Sequence, residues 1–259
     1  VTPAPDPAAG RPAAVVAIIP ARLGSTRFPG KVLADATGRP LIRHVHDAAR
    51  AAPSVGRVVI AADDPRILDA ARAFGAEAVL TRPDHPNGTS RLAEAAAILG
   101  LAPDAIVVNV QGDEPELDPG TIAALVSLAQ RTAAPVSTIA APFGPAEDPA
   151  DPNIVKVVLD RAGHALYFSR ARIPHARAGG TTTPPLRHVG LYAYRVPFLA
   201  TYADLEPTPL EGCEMLEQLR ILEHGGRIAV AVHPCSSQGI DTPEQYAAFV
   251  TRWRAAHPS

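Results

Sequence analysis

The chain has 259 residues, 47% of them hydrophobic, enough for one substantial core and too few to favour two full catalytic domains. Its formal net charge is −2 and its 24 basic residues are scattered, which argues against a protein that grips nucleic acid by a broad basic surface, while leaving room for a local cationic pocket. Cys213 and Cys235 form no C-x-x-C pair, and no apolar run approaches the roughly 18 residues that span a bilayer, so a disulfide framework, a Cys-rich zinc site and a membrane anchor are disfavoured and a reducing cytoplasm is expected.

Residues 1–14, Val1 to Ala14, are rich in Pro and Ala and lack the basic-then-apolar order of a secretory signal; they read as a disordered extension, with residues 15–259 a single domain. Val15 to Ile19 is a β-branched run suited to a strand buried on both faces. The pattern then predicts a helix over Leu41 to Ala52, a strand over Arg57 to Ala61, a helix over Pro65 to Phe74 and a strand over Glu77 to Leu80. A helix over Ser90 to Leu99, a strand over Ala105 to Val110 and a helix from Asp118-Pro119 to about Gln130 complete the first half. This alternation implies an α/β layered fold with a mostly parallel sheet, whose ligands sit beyond the carboxyl ends of the strands.

The second half differs. Val136 to Ala141, Ile154 to Leu159, Ala165 to Phe168 and Val189 to Tyr194 read as strands with little helix between them, an antiparallel excursion suited to dimer contacts over about 135–205. Thr208-Pro209-Leu210-Glu211 has the spacing of a capping box and opens a helix expected to run to Gly225-Gly226. Ile228 to Val232 returns to the sheet, and a last helix follows Asp241-Thr242-Pro243.

Two loops carry the chemistry. The first strand runs into Pro20-Ala21-Arg22-Leu23-Gly24-Ser25-Thr26-Arg27-Phe28-Pro29-Gly30-Lys31, where glycines let backbone N–H groups approach oxygens and Arg22, Arg27 and Lys31 add charge. The glycine spacing and the Val32 after the lysine exclude a Walker A loop, so a metal has to be held elsewhere. Gln111-Gly112-Asp113-Glu114 follows a buried strand, and Asp113 suits a hard Mg²⁺ ion that also bridges phosphates, although Gly-Asp is also ordinary turn chemistry. Asp241 is open to two readings, because either Asp241 or Thr242 can cap the last helix.

Together these motifs resemble the CMP-KDO synthetases, the 3-deoxy-manno-octulosonate cytidylyltransferases. The resemblance covers about Val15 to Phe249 and rests on IIPARLGSTRFPGK at 18–31, HPNGTSRLAE at 85–94, VNVQGDEP at 108–115, NIVKVVLD at 153–160, ALYFSRARIP at 165–174, RHVGLYAYR at 187–195, PLEGCEMLEQLR at 209–220 and GIDTPEQ at 239–245. It implies a three-layer, Rossmann-like nucleotide-sugar transferase fold, a homodimer, and use of CTP with Mg²⁺ on an acidic sugar. It also implies that Arg22, Arg27 and Lys31 hold phosphates beside Ala21, that Asp113 and Asp241 are metal ligands, and that Asn87, Gly88 and Thr89 lie near the cytosine. Gln111, Arg170, His188, Glu217 and Gln218 match positions expected around the sugar. Arg22, Lys31, Asp113 and Asp241 would be the catalytic set.

One position departs. Ser90 stands where the family usually has an acid, with Arg91 retained, which is expected to leave that arginine freer. Arg170 and Arg91 are the candidates for the sugar carboxylate, against surface pairing; His188 is a ligand or a structural histidine; and one of Glu217 and Gln218 faces the site while the other supports it. Against KDO stand a related acid as substrate and a CTP-binding regulatory homologue, the latter disfavoured by intact aspartates and loop cations. A dinucleotide oxidoreductase is set aside, because no G-x-G-x-x-G follows the first strand.

Overall fold

The structure, a computed structural model, describes residues 13–25, 27–181, 183–237 and 239–258. Residues 1–12 of the expected extension lie outside the described residues. A nine-stranded sheet forms the centre of the fold: β1 (Val15–Ala21), β2 (Arg57–Ala62), β3 (Glu77–Leu80), β4 (Ile106–Asn109), β5 (Val136–Pro142), β6 (Lys156–Leu159), β7 (Ala165–Ser169), β8 (Leu186–Arg195) and β9 (Ile228–Val232). The helices are α1 (Leu41–Arg50), α2 (Pro65–Ala73), α3 (Gly88–Ile98), α4 (Pro119–Arg131), α5 (Val196–Tyr202), α6 (Pro209–Glu214), α7 (Gln218–Glu223) and α8 (Pro243–Ala256).

The strand order is β3-β2-β1-β4-β8-β5-β9, parallel except for β8, which runs against β4 and β5; a β6–β7 hairpin attaches to β8 through β6. The apolar run of β1 is explained by its two faces. Val15, Ala17, Ile19 and Ala21 pack with Ile42 of α1, Ile67 of α2 and Leu125 of α4, while Val16 and Ile18 pack with Leu92 of α3, Leu199 of α5 and Leu219 of α7. Three layers result, and each fully buried Ile contributes roughly 1.5–3 kcal/mol of transfer free energy.

The helix starts follow capping chemistry. Asp64, Asp118 and Thr242 each accept a backbone N–H of the first turn, with Pro65, Pro119 and Pro243 at the first helical position. Four expectations need correction. α3 begins at Gly88 instead of Ser90, because Asn87 Oδ1 accepts from Ser90 N at 2.9 Å and so caps the helix. α5 follows β8 directly, a helix the strand-rich reading of this half missed.

The single helix expected over 208–225 is two helices, broken at Met215, whose φ of 52° is left-handed. Arg170 holds the break open by donating to the carbonyls of Glu214 (2.7 Å) and Met215 (3.3 Å). Finally, β5 and β8 are central strands of the main sheet, and only β6 and β7 lie off its path. β8 reaches this position because its first residues pair with β6 and its last with β4, while β5 follows it throughout.

Candidate active site

Two adjoining cavities open beyond the carboxyl ends of β1 and β4, of about 260 Å³ and about 270 Å³, and Gly88, Gln111 and Glu217 line both. The first is the charged one. Arg22, Arg27, Lys31 and Arg91 line it with Asp113 and Asp241. Local backbone brings these groups together. Gly30, at φ 70°, turns the loop so that Lys31 starts a short 3-10 turn over residues 31–33, and Leu23 N is held by Asp63 Oδ1 at 2.9 Å. Gly112 lies so close to Pro20 that a Cβ would meet the Pro20 carbonyl oxygen at 2.7 Å, so only glycine lets the Asp113 loop approach the end of β1.

Asp241 comes from the far end of the chain. Thr242 takes the capping role, which leaves the Asp241 carboxylate to face the loop cations. Ile240 N donates to Asp113 O at 2.8 Å, stitching the two acidic segments, and Arg252 of α8 pairs with Glu116 at 2.5 Å. Lys31 Nζ then lies 2.7 Å from Asp113 Oδ2, 3.1 Å from Asp241 Oδ1 and 2.9 Å from the Ile240 carbonyl, while Arg27 sits 3.0 Å from Asp241 Oδ2. Lys31, expected on phosphates, is therefore bonded to the carboxylate pair. Desolvation, with Asp113 beside it, pushes the neighbouring Glu114 carboxyl up to about 7.

Two carboxylates converging on one cation form the donor set a Mg²⁺ ion accepts when phosphate oxygens and waters complete its shell. Among the described residues no cluster of three or more His, Cys, Asp or Glu side chains forms an all-protein metal cage.

The second cavity is aromatic and, apart from Glu217 at its mouth, uncharged. Asn109, His188, Tyr192, Tyr194 and Tyr202 line it, with Gln218. Between Thr138 and Ile139 the β5–β8 register slips, so Gly190 and Leu191 form a bulge that opens the wall. Thr138 Oγ1 donates to Leu191 O at 2.8 Å and so accepts from His188 Nε2 at 3.0 Å, which leaves Nδ1 of His188 as an acceptor. Burial holds His188 down to about 3, so the ring is neutral across the physiological range. Burial raises Tyr192 and Tyr194 well above the usual phenol value and Tyr202 to about 12. Tyr194 and Tyr202 also reach Thr89 (3.3 Å) and Asn87 (3.4 Å), tying this wall to the start of α3.

Glu217 stands at the shared mouth, where desolvation, then the Glu211 carboxylate, pushes it up to about 7. Both Glu217 and Gln218 line the second cavity, because the α6–α7 break turns this stretch toward it.

Of the expected residues, Arg22, Arg27, Lys31, Asn87, Gly88, Arg91, Gln111, Asp113, Glu217 and Asp241 meet at the first cavity, and Thr89, His188 and Gln218 at the second. Ala21 is buried at the end of β1. Arg170 lines neither; its guanidinium serves the carbonyls of Pro152, Glu214 and Met215. Arg91 is not freed by Ser90: it is buried and donates to Thr81 Oγ1 (2.7 Å) and the Arg82 carbonyl (2.9 Å). Ser90 bonds to His85 Nδ1 (3.2 Å) and the Asn87 carbonyl (3.0 Å), and His85 bonds in turn to Glu94, so the serine faces its own turn and lines neither cavity. The three tyrosines and Thr138 were missed; the Tyr-x-Tyr four residues after His188 was an available signal for Tyr192 and Tyr194, while Tyr202 and Thr138 carry no local signal.

A mostly parallel α/β sheet with a cationic loop after its first strand and paired carboxylates beside it defines a nucleotide-binding protein of the kind that handles phosphates. The family model described as "Cytidylyltransferase" matches residues 16–228. A protein of Syntrophobacter fumaroxidans named 3-deoxy-manno-octulosonate cytidylyltransferase is 51% identical over 91% of this chain and 95% of its own length. One of the same name from Synechococcus elongatus is 49% identical over 88% of this chain and 92% of its own. A solved structure of CMP:2-keto-3-deoxy-manno-octonic acid synthetase complexed with CTP superposes with a TM-score of 0.87 at 38% identity, covering 94% of this chain and all of that one. The chain belongs to the cytidylyltransferase family.

Proposed function

We propose that this protein transfers CMP from CTP to the anomeric hydroxyl of 3-deoxy-manno-octulosonate, giving CMP-KDO and pyrophosphate, with Mg²⁺ on Asp113 and Asp241. The observation that carries this reading is the pair of joined cavities, one lined by cations with Asp113 and Asp241, the other mainly by uncharged polar and aromatic side chains, with Glu217 shared between them. Relatives that share about half of this chain's residues bear the name of that activity.

The charged cavity holds the triphosphate: Arg22 and Arg27 offer forked donors, Lys31 a point charge, and the turn at Asn87 and Gly88 lies toward the base, with Thr89 beside it on the second cavity. Mg²⁺ held by Asp113 and Asp241 would supply polarisation of the α-phosphate. The neutral cavity takes the sugar's hydroxyls, with His188 Nδ1 as acceptor and the tyrosine hydroxyls and the Gln111 and Gln218 amides around it. The two cavities meet at Gln111 and Glu217, where the sugar oxygen forms its bond to the α-phosphorus as the bond to pyrophosphate breaks. The hydroxyl proton passes to solvent. The protein's contribution is alignment and charge neutralisation.

Ser90 gives no ground for preferring a related acid to KDO, because it faces His85 and lies on neither cavity wall. We further propose a homodimer formed through residues 135–205, where Leu166 of β7 is 62% exposed, and a cytoplasmic location; sedimentation of the purified chain tests the dimer. Pyrophosphate release tests the reaction: it should need CTP, Mg²⁺ and KDO together and disappear in Asp113→Ala and Asp241→Ala. Release with another acidic sugar but not with KDO would keep the chemistry and reject the substrate.

A further inference from the structure

Arginine carries nearly every positive side-chain charge in this protein. Lys31 and Lys156 are its only lysines, and both are buried. Each stands where one nitrogen serves several oxygens: Lys156 donates to the carbonyls of Asp151 and Arg170, and Lys31 to Asp113, Asp241 and the carbonyl of Ile240. An ammonium concentrates three donors on one atom, which a planar guanidinium cannot reproduce. An ammonium at position 31 thus suits the geometry of the carboxylate pair.

We infer that Lys31 is the resident counter-ion of Asp113 and Asp241, and that a divalent cation enters this pair only as the Lys31 ammonium leaves it, a move that the triphosphate eases. The inference rests on the reading of these aspartates as metal ligands. Nζ lies 2.7 and 3.1 Å from one oxygen of each carboxylate, in the space a Mg²⁺ ion about 2.0–2.1 Å from the same oxygens would need. Two cations cannot share that space, so metal and lysine compete for it. A triphosphate offers Lys31 a second set of oxygens and lowers the cost of moving. Metal alone then binds weakly, and metal and nucleotide assist each other.

The test uses the full-length protein with ¹³C,¹⁵N-lysine, whose two lysine side chains give separate NMR signals. Mg²⁺, with and without CTP, should move the Lys31 signal and leave that of Lys156 in place. In parallel, Mn²⁺ binding without nucleotide is followed by EPR in wild type, Lys31→Met and Asp113→Asn. Lys31→Met should bind at least roughly tenfold more tightly than wild type, the low end of what a contacting unit charge does to a carboxylate's affinity for a proton. Asp113-dependent binding with an unmoved Lys31 signal, or a folded Lys31→Met that binds no more tightly, would overturn the inference while leaving the metal site intact. Absence of any Asp113-dependent binding, even with CTP, would remove the metal site itself and the inference with it. The NMR arm needs no variant, so a Lys31→Met that fails to fold leaves the question decidable.

Discussion

The two halves of the cleft are built by opposite means. The charged cavity, proposed as the phosphate end, concentrates formal charge on loops: Arg22, Arg27 and Lys31 after β1, Asp113 after β4 and Asp241 before α8. The second cavity, proposed as the sugar end, carries mainly uncharged groups on the sheet itself and on the α6–α7 break, with Glu217 at the shared mouth. Charge acts at a distance and tolerates an open, solvated loop. Recognition by hydroxyl and imidazole hydrogen bonds needs fixed positions and exclusion of water, which strands and packed aromatics provide.

Under that division, losses at the phosphate end should fall on turnover. Asp113→Asn is expected to lower kcat on the order of 10²–10³-fold, the range for removing one preorganised charge-stabilising group, in a steady-state pyrophosphate assay. An equal loss confined to the KM for KDO would blur the boundary between the two ends.

At the sugar end the losses should fall on KM. Thr138→Val removes the acceptor of His188 Nε2–H and frees the ring to turn. The KM for KDO should rise roughly tenfold, the scale of one buried hydrogen bond, with the KM for CTP unchanged. A shift in both constants would show that the bulge supports the whole cleft.

Glu217 sharpens the comparison, because it stands where the ends meet. Its carboxyl is raised to about 7, so it is mainly protonated at pH 6 and ionised at pH 8. An anionic sugar meets a neutral wall at the lower pH and a negative one at the higher, so the KM for KDO should rise about three- to tenfold across this window. Glu217→Gln should flatten that dependence.

The smallest effect belongs to the break itself. Met215 holds a left-handed φ of 52°, a conformation that suits glycine better. Met215→Gly should raise Tm by roughly 1–3 °C, seen by calorimetry, if the relief exceeds the entropy glycine adds to the unfolded chain. A stabilised but less active variant would show that the constrained break serves the sugar wall.

The same contrast explains what was legible in the sequence. The phosphate end announces itself, because Gly-rich cationic loops and Gly-Asp after a buried strand are contiguous and their chemistry belongs to residue type. Even there, spacing alone left Asp241 undecided; its freedom depends on Thr242 taking the cap. The sugar end depends on geometry that no local pattern encodes. The bulge at Gly190 and Leu191 arises from pairing with β5, and the α6–α7 break is held by Arg170 from β7's end, distant in sequence. Arg170 therefore looked like a carboxylate ligand and proves to be a clamp. β8 read as a strand but not as a central one, because its place between β4 and β5 is a long-range choice.

The most direct test follows the phosphorus. With purified protein, CTP, Mg²⁺ and KDO, ³¹P NMR should show the triphosphate signals replaced by pyrophosphate and a single new phosphodiester, and no change when KDO is withheld. An unchanged triphosphate spectrum, or conversion to free CMP without a phosphodiester, would contradict the claim that the two cavities join CMP to this sugar.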